Sequence, residues 1–191
     1  MSGDQISTPL NLASSLNAIP VSLNSAAGRP AAVLVGLVQN ETGWDVIMTK
    51  RASHLAHHAG QISFPGGKVD DGDANLTETA LREANEEIGL DAQHVEVIGA
   101  LDAVTSPVGF VVAPIVAMVK VPTELVAAPD EVEEIIILSL QHLANPAHHR
   151  RRSYMRAGEK RKIWVIEHPD HYLWGLSATI LVDLANRLAK S

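Results

Sequence analysis

A Gly-Gly turn followed by a strongly patterned helix is the feature that most constrains the fold of this sequence. Pro65 fixes one φ angle in the turn, and Gly66 and Gly67 allow backbone conformations that other residues rarely adopt. The residues that follow repeat an apolar side chain every fourth position, at Leu76, Ala80, Ala84 and Ile88. This spacing predicts a helix that packs a narrow apolar stripe against the core.

The flanking residues predict where this helix begins and ends. Asp73 or Asn75 can cap its first amides with a side-chain oxygen. Gly89 stands where a residue in the left-handed conformation commonly ends a helix, and Leu90 can then fold back onto the last turn. We therefore expect a helix that ends just before Gly89.

The polar side of the predicted helix carries three carboxylates close together. Glu83 and Glu87 are four residues apart and lie on one face, and Glu86 is one turn from Glu83. Like charges at this spacing repel each other, and a hard divalent cation, which prefers oxygen ligands, reverses that repulsion. The alternative is a solvated acidic face in which Arg82 forms ion pairs with Glu78 and Glu86.

The string from the turn to the end of the helix resembles the Nudix box, in which Gly, Arg-Glu, Glu-Glu and Gly recur at fixed spacing. The matching residues are Gly67, Arg82, Glu83, Glu86, Glu87, Gly89 and Leu90. The resemblance implies a diphosphate hydrolase that uses Mg²⁺ or Mn²⁺, with Glu83, Glu86 and Glu87 as metal ligands and catalytic groups. It also implies that Arg82 belongs to the catalytic centre by orienting these carboxylates, and that Gly67 lets the backbone approach the metal.

One spacing departs from the general box and leads to a narrower resemblance. The distance from Gly67 to Arg82 is one residue longer than usual, with Asp73 near the place of a family Glu. Coenzyme A pyrophosphatase-like proteins carry this longer loop and a second signature upstream. The residues that match this signature are Thr49, Arg51, Ala52, Gly60, Gln61, Phe64, Pro65, Gly66 and Gly67. Ala56 stands where that subfamily usually has Arg, whose forked donors would suit phosphate.

The same resemblance assigns residues to substrate binding. Arg51 is the candidate contact for the phosphates of the substrate, and a surface ion pair is the alternative for it. Gly66 and Gly67 let the backbone approach phosphate closely. Phe110 follows a Ser-Pro-Val-Gly turn at a place where the subfamily has a Phe near the substrate.

Some acidic and imidazole side chains outside the box are further candidates. Glu131 is a candidate extra metal ligand or general base, as is Glu134, and a solvated loop is the alternative for both. His57 and His58 are adjacent, so their side chains point apart in regular structure, and we interpret them as solvated loop residues.

The rest of the chain is typical of one mixed α and β domain. Strands are predicted for residues 31–38, 44–49, 94–101, 110–120 and 135–138. A last amphipathic helix is predicted from Tyr172 onward, and its Trp174-Gly175 step resembles a stretch of the coenzyme A subfamily. The Nudix resemblance implies an α/β (α+β) fold, an α/β/α sandwich around a mixed sheet, over residues 30–191. Residues 1–29 are expected to form an N-terminal arm.

Residues 148–162 form the one basic segment of this acidic chain, with seven Lys or Arg residues and one Glu. Such a segment could hold a second phosphate group of a nucleotide, or touch RNA, although it lacks interleaved aromatic residues. The alternative is a solvated hairpin around Ala157 and Gly158.

Composition limits the function classes further. A formal net charge of −7 over 191 residues argues against a general nucleic-acid binder, and the lack of Cys excludes disulfides and Cys-ligated zinc. No signal-like N-terminus or long apolar run is present, so we expect a cytoplasmic protein without a membrane partner. The expected partner is a small nucleotide substrate, and a homodimer is compatible with the sequence.

Three functions compete. The first is divalent-metal-dependent hydrolysis of coenzyme A or a derivative, giving 3′,5′-ADP and (acyl-)4′-phosphopantetheine, as the narrower resemblance implies. The second is a Nudix hydrolase for ADP-ribose, NADH or a nucleotide sugar. The third is a non-catalytic binding module with the same fold, and the intact set of box carboxylates argues against it.

Overall fold

The computed structural model describes residues 9–20, 22, 27–55, 59–120, 124–156 and 158–190. Within these residues the helices are α1 (Pro9–Leu12), α2 (Leu76–Ile88), α3 (Leu140–Ala144) and α4 (Gly175–Leu188). The strands are β1 (Arg29–Asn40), β2 (Gly43–Arg51), β3 (Ile62–Ser63), β4 (Gly66–Lys68), β5 (Val95–Ala100), β6 (Val104–Thr105), β7 (Phe110–Val119), β8 (Val132–Ser139), β9 (His149–Arg156), β10 (Glu159–Glu167) and β11 (Tyr172–Trp174). Short 3-10 turns occur at Ala13–Ser15, Ala92–His94 and Pro146–His148.

A mixed sheet forms the centre of the fold. β1 and β7 pair in parallel from the Arg29–Phe110 pair to the Val38–Val119 pair. The other pairings of this sheet are antiparallel and follow the order β3-β2-β1-β7-β5, with β4 on β1, β6 on β7 and β8 on β2. Parallel neighbours require a long crossover, and the chain between β1 and β7 contains α2. The expectation of a mixed sheet is confirmed.

The Gly-Gly turn is inserted between β1 and β2 where these strands diverge. The two strands pair only near their hairpin, where Leu37 to Asn40 face Gly43 to Val46. Beyond that point β3 pairs with β2 and β4 pairs with β1. The Leu34 amide also donates a hydrogen bond to the Pro65 carbonyl at 2.8 Å. Main-chain bonds therefore fix the turn from both sides.

Two apolar cores lie on opposite faces of the mixed sheet. The predicted stripe of α2 is buried against one face, where it meets Leu34 of β1 and Ile115 of β7. α3 and α4 cover the other face and pack around Val35 of β1 and Met48 of β2. Successive residues of a strand point to opposite faces, which is why Leu34 and Val35 belong to different cores. This is the α/β/α sandwich that the sequence predicted.

β9, β10 and β11 form a separate antiparallel sheet, and the basic segment is the β9–β10 hairpin. The prediction that the last helix starts at Tyr172 is wrong, because residues 172–174 pair with Val165–Glu167 and α4 begins at Gly175. The short strand predicted at 135–138 is longer, spanning Val132–Ser139.

The described part of the predicted arm contacts the domain closely. Leu12 is fully buried in the core beside α4, and Asn17 exchanges two main-chain hydrogen bonds with Ala100, at 2.9 and 3.1 Å. Arg29, the last residue assigned to the arm, is the first residue of β1. Among the described residues, no helix is long and apolar enough to cross a membrane.

Candidate active site

The ends of α2 are set by the residues that the sequence singled out. The side-chain oxygen of Asn75 accepts a hydrogen bond from the Glu78 amide at 3.0 Å, so Asn75, rather than Asp73, is the N-cap. Gly89 has φ 65° in the left-handed region and ends the helix. The Leu90 amide then donates to the Ala84 carbonyl, which fixes the reversal of the chain.

Arg82 organises one side of the site. Its Nε and Nη2 donate to the two carboxylate oxygens of Asp73 at 3.0 Å each, and Nη2 also donates to the Lys68 carbonyl. Its Nη1 donates to Glu83 and Glu86 at 3.1 Å each. With every nitrogen engaged, the guanidinium orients neighbouring carboxylates and is not free to hold a phosphate.

The sequence marked Asp73 as a possible cap and as lying near the place of a family Glu, but its pairing with Arg82 was missed. Nine residues separate the two, which is not a helical spacing, so the only signal was the position of Asp73 near a family Glu. The Arg82 guanidinium holds the pKa of Asp73 down to about 2, against the opposing effect of burial. The pair therefore contributes stability above the ordinary Asp pKa of 3.8, and this contribution is lost as the pH falls through about 2. The alternative pairing of Arg82 with Glu78 is not formed, because Glu78 instead accepts from the Ala74 amide.

The two turn glycines make room for the carboxylates of α2. A Cβ atom at Gly67 would collide with the Glu83 carboxylate, so a larger residue would displace that side chain. A Cβ atom at Gly66, where φ is 153°, would collide with the Ala32 carbonyl of β1. The Gly66 amide donates to Glu87 Oε2 at 3.3 Å. The turn thus contacts Glu83 and Glu87 through backbone alone.

Glu87 is the most buried carboxylate of the site, with 4% of the residue exposed. Burial raises its pKa to about 7, although the Gly66 amide and the Arg51 guanidinium favour its charged form. Burial also raises the pKa of Glu83, despite its hydrogen bond to Arg82. Glu86 is more exposed, with 57% of its side chain accessible. The three residues form what we call the carboxylate edge of α2.

Arg51 lies beside the carboxylate edge, as a phosphate contact would require. Its Nη1 is 3.8 Å from Glu87 Oε1, so the two side chains form a long, weak ion pair. Its Nε is buried, and no hydrogen-bond partner for it occurs among the described residues. Arg51 therefore retains donor capacity next to Glu87, and its predicted role in substrate binding stays a proposal.

The loop before β8 places Glu131 near the carboxylate edge. The Ala128 amide donates to the Glu87 carbonyl, and the Ala52 amide donates to the Glu131 carbonyl, both at 2.9 Å. After burial, the Glu131 charge is among the influences that raise the pKa of Glu87. Glu134 instead lies opposite Lys50 in the pairing of β2 with β8. It lines a cavity beside β11, away from the carboxylate edge. The geometry favours Glu131 over Glu134.

Not every predicted site residue is brought to this place. Phe110 lies at the start of β7, where the Arg29 guanidinium sits 4.0 Å from its ring centre. Among the described contacts, none joins Phe110 to the carboxylate edge. Ala56, His57 and His58 lie outside the described residues.

The donor set suits a hard divalent cation, because it consists of carboxylate oxygens beside backbone that only glycine permits. The carboxylates are at present held separately, Glu83 and Glu86 by Arg82 and Glu87 by Gly66. Among the described residues, no three His, Cys, Asp or Glu side chains are already gathered into a metal cluster. A cation at this edge would therefore draw the carboxylate oxygens together.

Comparison with known sequences gives a clear match. The family model described as the NUDIX domain matches residues 28–158. The uncharacterized Nudix hydrolase NudL of Enterobacter sp. (strain 638) is 37% identical over 157 residues, which cover 82% of this chain and 81% of that protein. NudL of Salmonella newport (strain SL254) is 38% identical over the same length and shares of the two chains.

Solved structures agree on the architecture. The Nudix hydrolase RenU of M. smegmatis has a TM-score of 0.51 at 21% identity, covering 61% of this chain and 73% of that one. A MutT/nudix family protein of Enterococcus faecalis has a TM-score of 0.53 at 16% identity, covering 86% of this chain and 63% of that one. At such identities the likeness establishes the fold alone. Together with the sequence match, it shows that the chain belongs to the Nudix hydrolase family.

Proposed function

We propose that this protein cleaves the diphosphate bond of coenzyme A or a derivative at the carboxylate edge of α2, with a divalent metal ion. Nudix hydrolases act on nucleoside diphosphate derivatives, and they generally use divalent metal ions. The finer assignments, which are the substrate, the residues and the choice of Mg²⁺ or Mn²⁺, are our proposal. They are supported by the placement of the box residues and of Arg51.

The observation that carries the proposal is the buried Glu87. A buried carboxylate is costly unless a cation or several donors stabilise its charge. Glu87 has one amide donor at 3.3 Å and one guanidinium at 3.8 Å, and its pKa is raised to about 7. A divalent cation at the carboxylate edge would offset the effect of burial and favour the charged forms of Glu87 and Glu83.

A divalent ion at this edge would neutralise diphosphate oxygens and make water a better nucleophile. Glu83, Glu86 and Glu87 would hold it from one rigid helix, and Arg82 keeps two of these side chains oriented. Arg51 would bind a phosphate oxygen of the substrate through the accessible part of its guanidinium, since its side chain is 29% exposed. Glu131 is the residue that we propose as an additional ligand or as the base that accepts a proton from water.

The coenzyme A assignment rests on the signature that precedes the box. The Arg51 amide donates to the Gln61 carbonyl, and the Gly60 amide donates to the Arg51 carbonyl, both at 3.0 Å. These two bonds close the signature into one loop beside Glu87. The hairpin cations Arg150 and Arg152 instead pair with Glu167 in the separate sheet. Because Arg51 lies beside Glu87 of the carboxylate edge, it is the best candidate of the three for recognising a substrate phosphate.

A substrate panel tests the proposal. Purified protein with Mg²⁺ or Mn²⁺ is incubated with coenzyme A, dephospho-coenzyme A, ADP-ribose and NADH, and the products are identified by mass. We expect 3′,5′-ADP and 4′-phosphopantetheine from coenzyme A. Because a charge-assisted contact to the 3′-phosphate is lost in dephospho-coenzyme A, kcat/KM for that compound should be lower than for coenzyme A by about tenfold or more.

The same panel separates the levels of the assignment. If ADP-ribose or NADH is preferred by about tenfold or more in kcat/KM, the coenzyme A assignment is wrong and the Nudix chemistry stands. If no diphosphate is cleaved with any divalent ion, the proposed function is wrong.

A further inference from the structure

Four histidines meet where α3 approaches the segment that joins β10 to β11, and we call them the imidazole cluster. His142 lies on α3 and His148 on the 3-10 turn that follows it, while His168 and His171 belong to the joining segment, residues 168–171. The rings of His142 and His148 stack with their centres 3.9 Å apart. His168 meets His142 edge-on at 4.8 Å and lies 5.0 Å from His171. All four residues are partly buried.

Two of these rings can take up a proton and keep their hydrogen bonds. His142 Nε2 lies 2.8 Å from the Glu167 carbonyl oxygen, and His148 Nδ1 lies 3.0 Å from the His142 carbonyl oxygen. A carbonyl oxygen can only accept, so each of these nitrogens donates whether its ring is neutral or charged. The two bonds tie α3 to the end of β10 and to the 3-10 turn.

His168 differs, because its ring has to be neutral in this conformation. The Asp170 amide donates a hydrogen bond to His168 Nδ1 at 3.2 Å. A protonated imidazole carries hydrogen on both nitrogens and has no lone pair left to accept such a bond. Protonation of His168 therefore breaks the hydrogen bond that shapes residues 168–171.

The surroundings of His168 also disfavour its protonation. The pKa of His168 is lowered from its ordinary value of 6.5, first by burial and then by the nearby rings of His142 and His171. His148 acts in the same direction, and Asp170 opposes it. A histidine in such surroundings changes its charge just below neutral pH.

Other titratable groups lie on the elements around the cluster, on β9, on β10 and, across the cavity beside β11, on β2 and β8. They are His149, Arg150, Arg152, Glu167, Lys50 and Glu134. The Glu167 carboxylate is already paired with Arg150 at 3.0 Å and with Arg152 at 3.9 Å. His149 Nε2 lies 2.8 Å from the Leu143 carbonyl oxygen. Lys50 and Glu134 carry opposite charges, so they do not determine the charge of the cluster.

We propose that the imidazole cluster is a pH-sensitive closure, in which neutral His168 holds residues 168–171 against α3 and protonation of the cluster at acid pH releases them. A second proton in the cluster would add repulsion between two cations whose ring centres are 3.9 to 5.0 Å apart. Asp170 and His171 line the cavity beside β11, so release would change one wall of that cavity. The inference does not depend on the proposed function.

The release is local, because the strands on both sides of the segment are anchored. Ile166 of β10 and Leu173 of β11 are fully buried in the core beside α4. The direction of the effect follows from proton binding. The closed segment binds fewer protons than the released one, so closure is complete above pH 6.5 and is lost as the pH falls through the lowered pKa of His168. Glu87 acts in the opposite direction, because its raised pKa costs stability as the pH rises.

Hydrogen exchange followed by mass spectrometry on the full chain, between about pH 5.5 and about pH 8, tests the inference. Exchange rates are corrected for the intrinsic effect of pH. We expect the protection of the amides of residues 170–172 to fall about threefold to tenfold from the higher to the lower pH. The amides of α2 should show no such loss.

His168→Asn is the decisive variant. Its side-chain oxygen can still accept a hydrogen bond from the Asp170 amide, and its amide group takes up no proton. Protection of residues 170–172 should therefore no longer depend on pH. His94→Asn is the matched control, because it removes an imidazole from the 3-10 turn before β5, outside the cluster. It should keep the pH dependence of the wild type.

A second variant keeps the test valid if circular dichroism shows that His168→Asn does not fold. His142→Gln removes the ring 4.8 Å from His168, while its amide nitrogen can still donate to the Glu167 carbonyl. Because one proton-accepting neighbour is lost, the fall in protection should be smaller than in the wild type. An unchanged fall in this variant would overturn the inference.

Three further results would also overturn it. The first is protection of residues 170–172 that does not change with pH in the wild type. The second is an equal loss of protection in His168→Asn and in the wild type. The third is an equal loss in α2, because the whole domain, and not the joining segment, would then be opening.

Discussion

At the scale of single residues, two charged side chains of α2 have very different surroundings. Arg82 donates to Asp73, Glu83 and Glu86, and its charge is fully compensated. Glu87 is almost completely buried and meets one amide and one distant guanidinium. Burial therefore dominates at Glu87 and raises its pKa to about 7, which leaves a carboxylate that a cation would stabilise.

The raised pKa of Glu87 predicts how the stability of the metal-free protein depends on pH. Below the ordinary Glu pKa of 4.5 the group is neutral in both the folded and unfolded states, and above about 7 it is charged in both. The folded state therefore loses stability as the pH rises from 4.5 to about 7. Glu87→Gln removes this loss, so relative to wild type the variant should gain about 1–3 kcal/mol in free energy of unfolding over that range.

Urea unfolding in the presence of a chelator, at about pH 4.5 and about pH 8, measures this difference. Glu86→Gln is the matched control, because the Glu86 side chain is 57% exposed and its variant should show little pH-dependent gain. Parallel pH curves for wild type and Glu87→Gln would show that burial does not penalise the Glu87 charge.

At the scale of elements, the turn and α2 were predictable because their signals are local. The four-residue apolar repeat, the caps and Gly89 all lie within the segment that they shape, and the structure has the helix that they predict. Contacts across the turn were not predictable. The clash that any Cβ at Gly67 would make with Glu83 depends on how α2 lies against β4, which no short-range pattern records.

That close approach predicts the effect of a single methyl group. Gly67→Ala places a Cβ against the Glu83 carboxylate, so Glu83 must move away from the carboxylate edge. We expect kcat for diphosphate cleavage to fall roughly tenfold to a hundredfold, with a folded protein by circular dichroism. Gly72→Ala, in the loop between β4 and α2, is the matched control, because no atom lies within 4 Å of its added Cβ. Equal losses in the two variants would contradict the role of this close approach.

At the scale of the whole molecule, the sequence predicted a mixed sheet through the Nudix resemblance and most strands through their apolar runs. It did not predict the parallel pairing of β1 with β7 or the insertion of β3 and β4 between β1 and β2. These pairings join segments that are far apart in the chain. The strand β11 was missed because it has only three residues, Tyr172 to Trp174, and is followed directly by α4.

The whole molecule should also report cation binding through its stability. A divalent ion that binds only the folded state at about a hundredfold its Kd should raise Tm by roughly 5–10 °C. Protons compete for Glu87 below its pKa of about 7, so the increase should be larger at about pH 8 than at about pH 5.5. Differential scanning calorimetry with Mg²⁺ and Mn²⁺ checks this. If the rise in Tm is the same at both pH values, or the same in Glu87→Gln as in the wild type, the cation binds somewhere other than the carboxylate edge.

The most direct test of the central claim is the rate of diphosphate cleavage by wild type and Glu87→Gln, each with Mg²⁺ and with excess EDTA, on the best substrate of the panel. We expect the wild type to lose its activity in EDTA and to recover it when Mg²⁺ is restored. Because Glu87→Gln removes a charged ligand, its kcat should be lower by roughly a hundredfold or more at saturating Mg²⁺. Full activity of the wild type in excess EDTA, or of Glu87→Gln in Mg²⁺, would contradict the assignment of the carboxylate edge as the catalytic centre.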